Sequence, residues 1–142
     1  PHPCLFNFLY MSGYMSKKSA QEYYKSWEKI SKACYDGDYM ELFQKSYALI
    51  TDSGSFLIEY LFTKQPCIHL VSEHFKPNES VKNICKTYYN AYNIEEMTNL
   101  FEEVLINKND YKKQERLNLL KELNYPNCAE IIVNNLSENF MV

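Results

Sequence analysis

The sequence predicts an α/β fold built on a parallel sheet flanked by helices. Three observations carry that reading. Tyr47 to Ile50 and Cys67 to Val71 are short, mostly apolar runs, as expected of strands buried on both faces. Between them, Phe56 to Phe62 can continue as a helix, with Ser53 or Ser55 as N-cap and Gln65-Pro66 as its end. Two such strands joined by one helix form a parallel crossover, which is right-handed in nearly all known sheets. The expected units are adjacent parallel strands near 47–51 and 67–71, with 55–63 as the crossover helix.

The remaining elements follow in order. After Pro1-His2-Pro3 comes an aromatic stretch read as irregular to Met15. Ser16 or Ser19 can cap a helix to about Cys34, with Tyr23, Trp27, Ile30 and Cys34 on one stripe. Asp36-Gly37-Asp38 is a turn, and Asp38 caps a short helix from Tyr39 to Gln44. Beyond the crossover, Ser72 to Asn78 is a loop and Glu79 to Tyr89 a helix. Ala91-Tyr92-Asn93 is read as a brief third strand, with Asn93 capping a helix from Ile94 to Ile106. Asp110 to Leu123 and Cys128 to Leu136 complete the helices, separated by Asn124-Tyr125-Pro126-Asn127.

Chemistry concentrates at the first strand's exit. In open parallel sheets, ligands bind at the carboxyl ends of strands. Ser53, Gly54 and Ser55 lie at such an end and open a helix, so their N–H groups and hydroxyls suit a phosphate. The same residues also serve as a plain capped connection, with Gly54 present for backbone freedom. Asp52 suits holding the loop in shape better than meeting an anion. Glu59 stands one helical turn beyond Ser55, where a carboxylate can accept from ribose hydroxyls; it also fits a solvent-facing helix position. His69 alternates with Ile68 and Leu70 and is read as structural. His74, in the following loop, is a secondary candidate.

The motifs from Leu49 to Ser55, then Phe56 to Phe62 with Glu59, then Lys64-Gln65-Pro66 resemble the CDP-glycerol glycerophosphotransferase family, whose members build teichoic-acid-type and capsular polymers. The opening Pro1-His2-Pro3 is similar to the family's His-Pro pair, and Asp38 to Phe43 fits the segment between the two motifs. The resemblance covers residues 1 to 72 well and the rest in outline. The loop departs from the family pattern, which more often carries an aromatic residue and two serines after the aspartate. Ser53-Gly54-Ser55 is also similar to the Asp-Ser-Gly-Gly loop of UDP-N-acetylglucosamine 2-epimerases.

The resemblance implies a Rossmann-like domain, the C-terminal half of a GT-B fold, with residues 1–142 as one incomplete nucleotide-donor-binding domain. It implies His2 as the catalytic residue, on the donor pyrophosphate or in acid–base work, and Ser53, Gly54, Ser55 and Glu59 as the nucleotide and diphosphate site. The donor would be a CDP-activated polyol taken as substrate, with no cofactor, and the acceptor a glycan or lipid-linked chain. The missing N-terminal half of the enzyme would be an obligatory partner, and the fragment alone would be inactive. The alternatives are a nucleotide-sugar glycosyltransferase or 2-epimerase-like domain, and a non-catalytic nucleotide-binding domain.

Composition sets the remaining bounds. The chain has 142 residues, one domain's worth, and its 46% apolar content can bury a substantial core. The net charge of −3 comes without a basic stripe, which argues against nucleic acid as a partner. Lys17, Lys18, Lys25, Lys29 and Lys32 are interrupted by glutamates and read as a solvated helix face. Peripheral attachment of the parent enzyme to an anionic membrane is the minority reading of that segment. No apolar run reaches the ~18 residues of a membrane span. Five cysteines without a C-x-x-C pair read as reduced thiols of a cytoplasmic protein, at most at the inner face of the membrane, with no metal site.

Overall fold

The computed structural model describes residues 5–30 and 38–140. His2, Cys4, Cys34 and most of the predicted Asp36-Gly37-Asp38 turn lie outside the described residues. The chain divides into two compact units, Pro1–Gln44 and Lys45–Val142.

The first unit contains α1 (Leu5–Met11), α2 (Lys17–Ile30) and the start of α3 (Met40–Lys45). The stretch expected to be irregular is therefore helical over Leu5–Met11. A two-turn helix is marginal alone and is held by packing, here against α2. Phe6 meets Tyr24 edge-on at 6.4 Å. Gly13, at φ 74°, turns the chain between the two helices. Ser16 caps α2, its hydroxyl accepting from the Ser19 amide at 3.1 Å. Along α2, Tyr23 and Trp27 pack edge-to-face at 6.1 Å, one turn apart.

The second unit is α/β. It holds β1 (Leu49–Thr51), β2 (Cys67–Leu70) and β3 (Tyr89–Ala91), in the order β1-β2-β3. Both pairings are parallel: Ile50 opposes Ile68, and His69 opposes Asn90. The crossover helix α4 (Gly54–Tyr60) tightens into a 3₁₀ turn over Leu61–Thr63 and ends at Lys64, which takes the left-handed conformation. The second crossover is α5 (Glu79–Lys86), capped by Asn78, whose side chain accepts from the Val81 amide at 3.0 Å. After β3 come α6 (Ile94–Leu100), continued as a π-helical segment over Phe101–Ile106, then α7 (Lys113–Glu122) and α8 (Cys128–Phe140).

β3 lies two residues earlier than the sequence suggests, and α5 ends earlier to make room. Thr87 closes α5, its hydroxyl turning back to the Ile84 carbonyl at 2.8 Å, and Tyr89 enters the sheet.

Period-two alternation sorts the sheet's faces. Ile68, Tyr89 and Ala91 pack with Val104, Met97 and Leu100 beneath α6 and its extension. Cys67 and His69 face the other way, toward α4 and α5, which also pack on each other. There Tyr88 donates to the Leu57 carbonyl at 3.2 Å. Burial pushes the Cys67 thiol up to about 12, and it raises Tyr88 and Tyr60 from their ordinary value as well.

The C-terminal end of α5 is closed from a distance. Lys112 Nζ donates to the carbonyls of Lys86 and Tyr88, at 2.7 and 2.8 Å, and Arg116 Nη1 donates to that of Thr87 at 3.2 Å. Three consecutive carbonyls thus meet two cations, the charge a helix C-terminus favours.

Candidate functional site: the carboxyl edge of the sheet

All three strands end at one edge, and two clefts open there. The first, of about 330 Å³, is lined by Asp52 after β1, Leu70, Val71 and Ser72 after β2, and Ala91 to Ile94 after β3, with Met97 of α6. Its position obeys the rule that parallel sheets bind ligands beyond their strands' carboxyl ends. The wall is largely apolar.

Asn93 is fully occupied as a helix cap: its Oδ1 accepts from the Glu96 amide at 2.9 Å and its Nδ2 donates to Glu96 Oε1 at 2.8 Å. Glu96 in turn accepts from the Tyr92 amide at 2.9 Å. This reciprocal box fixes the β3–α6 corner. The groups left to orient a ligand are the exposed Asp52 carboxylate and Ser72, whose Oγ accepts the His74 amide at 3.2 Å and keeps its O–H to donate.

Ser53, Gly54 and Ser55 follow Asp52 directly but are not among the residues lining that cleft. Ser53 occupies the N-cap position of α4 without a side-chain cap bond. Its hydroxyl instead lies 3.1 Å from that of Ser55, and its amide donates to Thr51 Oγ1 at 3.0 Å. The two serine hydroxyls therefore sit side by side at the start of α4. Gly54 has no positive φ, and its place is tight: a Cβ there would come within 3.1 Å of the Phe75 ring. Glu59 is half-buried on α4, a turn beyond Ser55. His74 is exposed in the loop after β2. His2 lies outside the described residues, so the serine loop and Glu59 are the predicted groups that one element brings together.

The second cleft, of about 350 Å³, flanks the other face of the same edge. His69, Phe75, Lys82, Cys85, Lys86 and Asn90 line it, and it shares Val71 and Tyr92 with the first. Sequence reasoning did not find it. Its signal is the pairing of two polar residues, His69 and Asn90, on neighbouring buried strands, visible only once β3 is placed at Tyr89–Ala91.

Among the described residues, no three His, Cys, Asp or Glu side chains gather as a metal site. Cys67, Cys85 and Cys128 are free thiols, with burial raising Cys85 above its ordinary value. No described helix is long and apolar enough to cross a membrane. No protein-family model, curated protein or solved structure matches this sequence.

Proposed function

We propose that this chain is the donor-binding part of a glycerophosphotransferase of GT-B architecture, acting on CDP-glycerol or a related CDP-activated polyol in the synthesis of a cell-surface polymer. The observation that carries the reading is the β1–loop–α4–β2 parallel crossover, with Asp52 of its Thr-Asp motif in the wall of a cleft at the strands' carboxyl ends. The paired hydroxyls of Ser53 and Ser55 would meet the diphosphate, and Glu59 the ribose. His2 would stabilise charge developing on the leaving nucleotide. An acceptor hydroxyl on a glycan or lipid-linked chain would attack the β-phosphorus. The bond from the β-phosphorus to the bridging oxygen would break, CMP would leave with that oxygen and the bond's electrons, and the acceptor's proton would pass to water or to the departing phosphate. Alignment of donor and acceptor supplies the catalysis, and it needs a second domain to carry the acceptor wall.

The Gly54 departure favours one rival, a nucleotide-sugar glycosyltransferase or 2-epimerase-like domain that uses the same diphosphate loop. Titration calorimetry of the chain with CDP and UDP separates the two. The proposal expects weak binding with cytidine preferred, and no turnover of CDP-glycerol. Uridine preference supports the rival. Binding of neither nucleotide rejects both.

A further inference from the structure

His69 is about 1% exposed, and its two ring nitrogens have different fates. Nδ1 lies 3.0 Å from Asn90 Oδ1, while Asn90 Nδ2 donates to the Cys85 carbonyl at 3.2 Å. That second bond fixes which way the Asn90 amide points. Its oxygen faces the imidazole, so Nδ1 carries a proton and donates. In the neutral ring, Nε2 then bears the lone pair, and Nε2 is buried with no hydrogen-bond partner. A buried polar atom left unpaired costs about 1–3 kcal/mol, and such atoms in native folds call for an explanation.

The cleft beside this ring supplies one. Its charged lining residues are Lys82 and Lys86, both exposed and one turn apart on α5, and no carboxylate lines it. Glu79 pairs with Lys82 at 2.5 Å, and Lys86 Nζ donates to Asn83 at 2.9 Å; both partners lie outside the lining. The rest of the wall is Val71, Phe75, Pro77 and Tyr92 around Asn90 and Cys85.

We propose that this second cleft binds a phosphate group, free or as a monoester, between Lys82, Lys86 and His69. Two phosphate oxygens accept from the ammonium groups. A third shares one proton with His69 Nε2, and the same O···N hydrogen bond forms whether the proton starts on the phosphate or on the ring. Phosphate suits that role because its oxygens accept a hydrogen bond when bare and donate one when protonated, so the group can meet Nε2 in either form of the ring. The Phe75 ring, packed edge-on against the imidazole at 4.7 Å, belongs to the segment after β2 that has no helix or strand. It is the group that moves aside as the phosphate enters. This site is independent of the serine loop and of the transferase reading.

The test is a titration of the full chain with inorganic phosphate, followed through the ring-nitrogen resonances of His69. Nε2 should shift saturably while Nδ1, held by Asn90, moves little. The double variant Lys82→Gln with Lys86→Gln should keep the fold, since both residues are exposed, and weaken binding about tenfold or more, the loss of two charge-assisted bonds. A His69 Nε2 signal unmoved by phosphate overturns the proposal. So does an unchanged response in the double variant. Phenyl phosphate, run in parallel, separates the two sources: tighter binding than inorganic phosphate identifies a monoester whose organic part lies on Phe75 and Tyr92, and equal binding identifies the free ion.

Discussion

Arg116 is fully enclosed by the second unit, and its guanidinium is paired with the carboxylate of Asp110, six residues earlier in the chain. The same guanidinium donates to the carbonyls of Thr87, at 3.2 Å, and Lys64, at 3.4 Å. Asp110 also accepts from the Tyr89 hydroxyl at 2.8 Å, and that hydroxyl accepts the Lys112 amide at 3.0 Å. One cation therefore ties the end of the first crossover, the end of the second and the entry to α7. Removing one partner of a buried pair strands the other charge, at a cost of about 3–5 kcal/mol. Arg116→Ala should lower unfolding stability by that order in denaturant titration. Asp110→Asn, which leaves the buried guanidinium without its counter-charge, should cost a similar amount. A loss below about 1 kcal/mol for Arg116→Ala would show that the network is not what holds these segments.

Alkaline pH should weaken the fold. The Cys67 thiol has an ordinary value of 9.0 and is pushed up to about 12 by burial, and Tyr88 and Tyr60 are raised for the same reason. A raised folded value means that the native state keeps a proton the unfolded chain has already released. Stability is therefore intact below pH 9 and falls as pH climbs, from about 9 to 12 for Cys67 and from about 10 upward for the tyrosines, by up to about 1.4 kcal/mol per pH unit for each group within its window. Melting temperatures measured across that window check this. Cys67→Ala should flatten the slope, although it costs packing at neutral pH.

Gly54 and Phe75 give a steric test. Gly54→Ala brings a methyl group to 3.1 Å from the ring edge. Alanine is favoured over glycine in a helix, by less at this first position than the about 0.8–1 kcal/mol of an interior site, which offsets part of the contact. The stability change should therefore stay within about 1 kcal/mol. The aromatic resonances of Phe75 and the ring signals of His69 should nevertheless shift, because the Phe75 ring lies against both. An unchanged Phe75 spectrum would place that ring away from the start of α4.

Ser55→Ala and Glu59→Ala should each weaken cytidine nucleotide binding by roughly 1 kcal/mol or more, the loss expected of a bond to a charged or bidentate partner. Calorimetry with CDP measures it. Binding that ignores both substitutions would move the site to another part of the sheet edge.

Lys108 sits at φ 56° and is exposed. A side chain in the left-handed region costs roughly 1–2 kcal/mol, against the smaller entropic penalty of glycine. Lys108→Gly should stabilise the protein by about 0.5 kcal/mol. Asn124→Gly, at the same φ of 56°, should gain less because asparagine tolerates this region. Equilibrium unfolding of the two variants ranks them.

The crossover from β1 to β2 was legible because two signals agreed there: apolar runs of strand length and a small polar loop ahead of a helix. Asn93 was also readable as a cap, since a side-chain acceptor before an apolar-periodic run has few other uses. β3 was displaced because Val81, Ile84, Cys85 and Tyr88 continue a helical stripe past the point where Thr87 ends the helix. Only the pairing of Tyr89 with Ile68 settles that boundary. The first helix was missed because it has no cap signal and depends on α2. Arg116 reads in sequence as one more charged residue on an amphipathic helix; its burial follows from carbonyls supplied some 30 and 50 residues away. His69 was placed correctly in a buried strand, but the orphaned nitrogen depends on Asn90 and could not be seen before the strand register was known.

The three carbonyls at the end of α5 are closed by side chains from Lys112 and Arg116, so that corner is completed only by sequence that follows it by more than 20 residues. A truncated product ending before Lys112 would contain every strand of the sheet and both crossover helices, yet leave Lys86, Thr87 and Tyr88 without these donors. The shortest piece that completes the entry to β3 therefore extends through Arg116. During synthesis, the cleft residues at Tyr92 and Asn93 emerge before the groups that steady the strand leading to them.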